Sequence, residues 1–98
     1  MNIQAMLKQA QSLQRDMLNI KKEIDAMSFT GESSLVKVTV DGTKKVTKVD
    51  IANKDSIDKD DIEMLEDMIL IALNDAFAKV DAETEKKMGK FSNIPGLF

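Results

Sequence analysis

From Ile3 to Met27 an apolar residue recurs at alternating steps of three and four, and no glycine or proline interrupts the run. The positions are Ile3, Met6, Ala10, Leu13, Met17, Ile20, Ile24 and Met27. That spacing returns to one side of an α-helix and forms the a and d seam of a coiled coil, sustained for almost four heptads. The Gln, Lys, Leu, Met and Ala that fill the stretch are good helix formers. At 1.5 Å per residue, residues 1–27 predict a rod of roughly 40 Å. The chain has 98 residues, one domain's worth, and a domain of that size buries only about 60–70% of its unfolded surface. Such a core cannot wrap the rod, so the seam is expected to meet another helix and the chain to form an oligomer. Packing is the default role of the Met-rich stripe.

After Met27 the period changes. Phe29 to Glu32 suits a short strand, with a turn at Ser33-Ser34. Leu35 to Val40 then alternates, Val36, Val38 and Val40 on one face and Lys37 and Thr39 on the other. Asp41-Gly42 signals a hairpin, because glycine accepts positive φ. The return strand runs from about Lys45 to Ile51, with Val46 out of phase with Val49 and Ile51. Either a bulge near Thr47 resets the register or Val46 lies on the outer face. Residues 52–57 read as a loop. Asp58, Asp60, Asp61 and Glu63 crowd the start of a second helix, where negative charge complements the helix dipole. Ile62, Leu65, Met68, Ile69, Ala72, Leu73, Ala76, Phe77 and Val80 form its apolar stripe, broader than the first helix's seam. The helix should continue through Lys87 and stop at Gly89, suited to the C′ position. Residues 91–98, with Ile94-Pro95-Gly96, read as a tail, flexible unless docked. The expected class is α+β in a single domain spanning 1–98: long helix, small antiparallel sheet of two or three strands, long helix.

Composition removes whole classes of chemistry. With no His and no Cys, the common zinc, haem and iron–sulfur ligands are missing, as are cysteine- and histidine-based acyl transfer. Carboxylate-only mechanisms stay open in principle, but no convergent polar constellation is visible, and an enzyme, a metal site or a small-molecule substrate is not expected. The absence of cysteine suits a reducing cytoplasm. No signal peptide or membrane-spanning run of apolar residues is expected either.

The net charge is −3, but it is unevenly distributed. Residues 1–27 carry four basic and three acidic groups, residues 28–51 again four and three, and residues 83–98 three and two. Residues 52–82 carry three basic and nine acidic groups, so all the excess negative charge lies there. A local basic surface is therefore permitted. With Ile3 at heptad position a, position f is filled by Lys8, Arg15 and Lys22, with Lys21 beside the line. Cations at seven-residue spacing on one helix face can follow a phosphate backbone without exact geometry; a plain solvated face would look the same. Lys37, Lys44, Lys45 and Lys48 suit either phosphate contact or protection of a sheet edge. Lys79, Lys86, Lys87 and Lys90 suit the negative end of the second helix's dipole.

Three stretches carry a resemblance. They are Thr30-Gly31-Glu32-Ser33 with Leu35-Val36-Lys37-Val38-Thr39-Val40-Asp41-Gly42, then Asp61-Ile62-Glu63-Met64-Leu65-Glu66-Asp67, and the two ends, Met6-Leu7-Lys8-Gln9-Ala10-Gln11 and Met88-Gly89 with Pro95-Gly96-Leu97-Phe98. In their joint order and spacing the chain resembles the YbaB/EbfC family of bacterial nucleoid-associated proteins along essentially its whole length. The resemblance implies an α-β-β-β-α protomer, a tweezers-like homodimer with projecting helices, and binding of double-stranded DNA with little sequence preference. It also implies a cytoplasmic, nucleoid-associated location, an influence on DNA conformation and gene expression, and no cofactor or catalysis. Carried over, Lys8, Arg15, Lys21 and Lys22 become the DNA-contact candidates, followed by Lys86, Lys87 and Lys90. The departures are a shorter connection after Ser34 and Asp58-Lys59 where members often show Asp-Pro. The competing expectation is a protein-interaction scaffold that recruits partners through the helical seam and the apolar tail.

Overall fold

The computed structural model describes residues 2–91. Helix α1 spans Ile3–Asp25 and opens on Asn2, whose side chain accepts hydrogen bonds from the backbone N–H of Gln4 and Ala5 at 3.0 and 3.3 Å. Strands β1 (Ser28–Ser33), β2 (Val36–Asp41) and β3 (Val46–Ile51) form an antiparallel sheet in the order β1-β2-β3. Helix α2 spans Ile62–Met88. The α-β-β-β-α order is thus present, with three strands.

The core lies between one face of the sheet and α2. Val36, Val38 and Val40 point into it with Phe29, and Ala72, Ala76 and Val80 meet them from the helix. Each fully buried valine stabilises the fold by about 1.5–3 kcal/mol relative to an exposed one. Gly31 lets the backbones touch: a Cβ there would sit 2.0 Å from the Ala72 carbonyl oxygen and 2.5 Å from the Ala76 nitrogen. Leu65, Met68, Ile69, Leu73 and Phe77 flank this contact, half-buried. Ile62, expected on the same stripe, is exposed, because it precedes the stretch of α2 that lies on the sheet.

Several boundaries differ from the sequence expectations. The rod stops at Asp25 rather than Met27. The chain turns at Ala26, whose N–H donates to the Lys22 carbonyl at 3.2 Å, and Met27 leads into β1. The first hairpin turns through Ser34 and Leu35, with Ser34 at φ 50°. In the second hairpin Lys44 carries the positive φ of 68°, while Gly42 lies outside the left-handed region. Gly42 is needed for a different reason. A Cβ on it would fall 1.8 Å from the Ile24 carbonyl oxygen, so this turn is pressed against the end of α1. Asp41 organises the turn, its Oδ1 accepting from the N–H of Thr43 and Lys45 at 2.8 and 3.0 Å and from the Thr43 hydroxyl. Those bonds hold its carboxyl below the usual carboxylate range, the Thr43 hydroxyl bond foremost and the Lys45 N–H next.

The alternative at Val46 is resolved by a bulge. Lys48 pairs with Thr39 but Val46 with Val40, leaving Thr47 as the extra residue. Residues 52–57 contain a short 3₁₀ turn, Lys54–Ser56, and a second, Lys59–Asp61, leads into α2. There Asp60 N–H donates to Asp58 Oδ1 at 2.9 Å and Asp58 N–H to Asp61 Oδ2 at 3.1 Å, so the acidic group caps the 3₁₀ turn that leads into α2, while Asp61, at the N-cap of α2 itself, makes no side-chain cap bond. Gly89 does not take the left-handed C′ role. It stays right-handed at φ −58° and continues into a 3₁₀ turn, Gly89–Phe91, that buries the Phe91 ring. Phe91, the first residue of the expected tail, is docked and packs away from water, and residues 92–98, including Ile94-Pro95-Gly96, lie outside the described residues.

Candidate nucleic-acid interface

The molecule measures 71 × 19 × 13 Å with a radius of gyration of 19.8 Å, against about 13 Å for a compact chain of about 100 residues. Helices of 23 and 27 residues are roughly 35 and 40 Å long, so the long axis approaches both laid end to end. They meet at their C-terminal ends. Lys87 Nζ bridges to Glu23 Oε1 at 3.1 Å and to Glu83 Oε1 at 3.5 Å. Ile24 is buried beside Thr84, Met88 and Gly42. From that joint α1 projects.

Burial along the seam falls steadily towards the N-terminus. Ile24 is 3% exposed, Ile20, Met17 and Leu13 are half-buried, and Ala10, Met6 and Ile3 are exposed, Ile3 at 70%. Among the described residues the seam is therefore covered within the protomer at its C-terminal end.

The candidate cations separate into two groups. Lys8, Arg15 and Lys22 are exposed, and among the described residues none has an ion-pair partner. Two of the three acids on α1 are neutralised, Asp25 by Lys21 at 3.1 Å and Glu23 by Lys87. Among the described residues Asp16, the third, has no ion pair. Lys21 is thus engaged along its own helix. Lys87 is a tether between helices, and its bond to Glu23 raises its pKa above the usual 10.5, keeping it protonated. Lys86 and Lys90 are exposed near the joint, Lys90 with its Nζ 5.1 Å from the Phe91 ring centre. The intrahelical spacings Lys21/Asp25 and Glu83/Lys87 were visible in the sequence as i, i+4 pairs; the link from Lys87 to Glu23 was not.

In the hairpin region Lys44 pairs with Asp81 at 2.7 Å and Lys48 with Asp50 at 3.4 Å. Lys79 donates to the Thr30 carbonyl at 2.7 Å. Most of these lysines therefore serve the body of the fold. Among the described residues no three carboxylates converge as a metal site would require, and no helix is long and apolar enough to cross a membrane.

From Lys8 to Lys22 the line of free cations rises roughly 21 Å along α1, the length of about six base pairs of B-DNA. Lys8 stands about 24 Å along the helix from Ile24, more than two Debye lengths at physiological salt. The acid-rich start of α2 lies at that helix's other end, away from the joint, so its field is screened from the outer part of α1. An acidic chain can therefore carry a locally basic arm.

Residues 1–94 match the family model described as the YbaB/EbfC DNA-binding family. A Ligilactobacillus salivarius protein described as a nucleoid-associated protein is 44% identical over 100 aligned positions, covering 99% of this chain and 95% of that one. One of the same description from Streptococcus thermophilus is 45% identical, with 94% of each covered. The solved structure of an uncharacterized Helicobacter pylori protein superposes with a TM-score of 0.75 at 15% identity, over 93% of this chain and 97% of that one.

Proposed function

Because the chain belongs to the YbaB/EbfC DNA-binding family, we propose that it binds double-stranded DNA as a homodimer with little sequence preference, acting in the cytoplasm at the nucleoid. The observation that carries this reading is the unpaired line Lys8, Arg15 and Lys22 on an arm held clear of the acidic part of the body. Such a line neutralises phosphates and reads no base edges, which accounts for weak sequence preference. Lys86 and Lys90 extend the surface at the joint, and Lys21 and Lys87 hold its geometry through their ion pairs. Altered DNA conformation and gene expression follow where two arms engage one duplex.

Two protomers offering three cations each would contact about six phosphates, giving a slope of log K against log salt near −5. The test is fluorescence anisotropy with a labelled duplex at about 50 and about 200 mM salt. Changing Lys8, Arg15 and Lys22 together to Glu should abolish binding while light scattering shows the dimer intact. Absence of low-salt binding by the unaltered dimer sinks the DNA reading.

The bare outer seam, Ile3 and Met6 with Leu7 beside them, supports a second reading in which a partner protein's helix docks there. That contact would be apolar and nearly insensitive to salt.

A further inference from the structure

The two helices meet at their C-terminal ends, and the molecule is nearly as long as both laid end to end. Whatever prolongs α2 past the joint therefore travels back along α1, towards its N-terminal tip. Gly89 keeps a right-handed conformation, and the 3₁₀ turn Gly89–Phe91 continues the helix in that direction. Met88 lines the same cavity as Ile24. Three residues of 3₁₀ turn rise about 6 Å, which brings Phe91 level with Ile20, about one helical turn from Ile24. The Phe91 ring is 2% exposed. Farther out the seam opens: Met17 and Leu13 are half-buried, Met6 is 50% exposed and Ile3 70%.

From Phe91 the sequence continues as Ser92-Asn93-Ile94-Pro95-Gly96-Leu97-Phe98, without a charged side chain. Its apolar residues Phe91, Ile94 and Leu97 recur at every third position. In polyproline II, with three residues per turn and a rise of about 3.1 Å each, such residues face one way and stand about 9.3 Å apart. Pro95 fixes the φ this conformation needs and has no N–H to satisfy. On α1 the seam positions Ile20, Leu13 and Met6 are seven residues apart, about 10.5 Å. The two spacings agree to within about 1 Å per step. Gly96 leaves the backbone between Ile94 and Leu97 free to take up that difference. With Phe91 level with Ile20, Ile94 comes level with Leu13 and Leu97 with Met6.

We propose that residues 92–98 strap back along the seam of α1 in the same chain, extended and antiparallel to the helix, with Ile94 on Leu13 and Leu97 on Met6. The occupant of the open seam is then this chain's own tail, and a partner helix has to displace it to dock there. Lys8, Arg15 and Lys22 at heptad position f lie on the face of α1 opposite the seam, so the strap leaves that line of cations open to phosphate.

The chain contains no cysteine, so one nitroxide can be attached at Gln14→Cys, beside Leu13, or at Leu7→Cys, beside Met6. Both positions are exposed, so neither change disturbs the core. In amide NMR spectra of the full chain, the label at position 14 should quench Ile94 more than Leu97. The label at position 7 should reverse that order. Changing Ile94→Asp and Leu97→Asp together should return the Asn93 and Gly96 signals to full intensity under either label; quenching that survives both aspartates overturns the apolar contact. A tail free in solution would show quenching that fades from Ser92 outward under both labels, and that result overturns the strap. Quenching seen only when nitroxide-labelled protein is mixed with isotope-labelled, nitroxide-free protein also overturns it, and would place the tail on a neighbouring copy.

Discussion

Helices α1 and α2 are similar in length and both carry an apolar stripe, yet only α2 has a protein surface along most of it. Over Ala72, Ala76 and Val80 it lies against β1 and β2 closely enough that Gly31 leaves no room for a side chain. α1 meets the body only through its last turns, at Ile24 and the Glu23–Lys87 bridge, and projects the rest. The difference is not one of periodicity, since α1 has the stricter repeat. It comes from the small residues of α2, which allow backbone-to-backbone approach, and from the short hairpins that fold the sheet directly beneath that helix. A regular apolar seam specifies a helix that can be covered; what covers it depends on the surfaces the remaining chain brings within reach.

The largest test of this contrast is Gly31→Val. A Cβ-branched side chain would collide with the Ala72 carbonyl and the Ala76 nitrogen, and separating the two backbones should cost on the order of 4 kcal/mol. For a chain of this size that is a large part of the total stability, so urea unfolding should begin without a native baseline. A loss below about 1 kcal/mol would mean that β1 and α2 are less intimately packed than described. Next in size, Ile24→Ala should destabilise by about 3 kcal/mol, while Ile3→Ala on the same seam should stay within about 0.5 kcal/mol. Denaturant curves of the two proteins would measure the burial gradient directly, and equal losses would break it.

The smallest effect is at the hinge between the regions. Asp41 shapes the turn that places Gly42 against Ile24, and its carboxyl has a pKa below the ordinary 3.8 in the folded protein. Its contribution is therefore complete above that ordinary value and is lost as the pH falls through the lower folded one. Thermal midpoints recorded down an acid series should show this loss, and Asp41→Asn should show less acid dependence. Amide exchange over residues 22–27 should accelerate first. An acid profile in Asp41→Asn identical to that of the unaltered protein would remove Asp41 from the hinge.

Much of the fold was legible because its signals are local. The run from Ile3 to Ile24, the alternation of Val36, Val38 and Val40, and the acidic cap at Asp58–Asp61 each reflect interactions within a few residues of chain. The bulge at Thr47 was present in the sequence as an alternative, since Val46 broke the phase. The misread details were those whose reason lies far away in sequence. Gly42 does lie in the expected turn, but not for a positive φ; its missing Cβ makes room for Ile24. At Gly89 α2 does end as expected, but the glycine stays right-handed, because the chain continues into a 3₁₀ turn that carries Phe91 to a buried site. Of the candidate contact residues, the line Lys8, Arg15 and Lys22 could be drawn from heptad arithmetic alone. That Lys87 is occupied by Glu23 follows only from how the two helices cross.

By itself, then, the sequence determined the elements, their order, the apolar face of each and the spacing of cations along the first helix, because those depend on backbone period and near-neighbour chemistry. The tertiary structure decided which faces are covered and which lysines remain unpaired. Those outcomes depend on surfaces brought together from distant parts of the chain. An ion pair such as Glu23–Lys87, or a backbone contact such as Gly31 on Ala72, exists only once the helices and strands have packed.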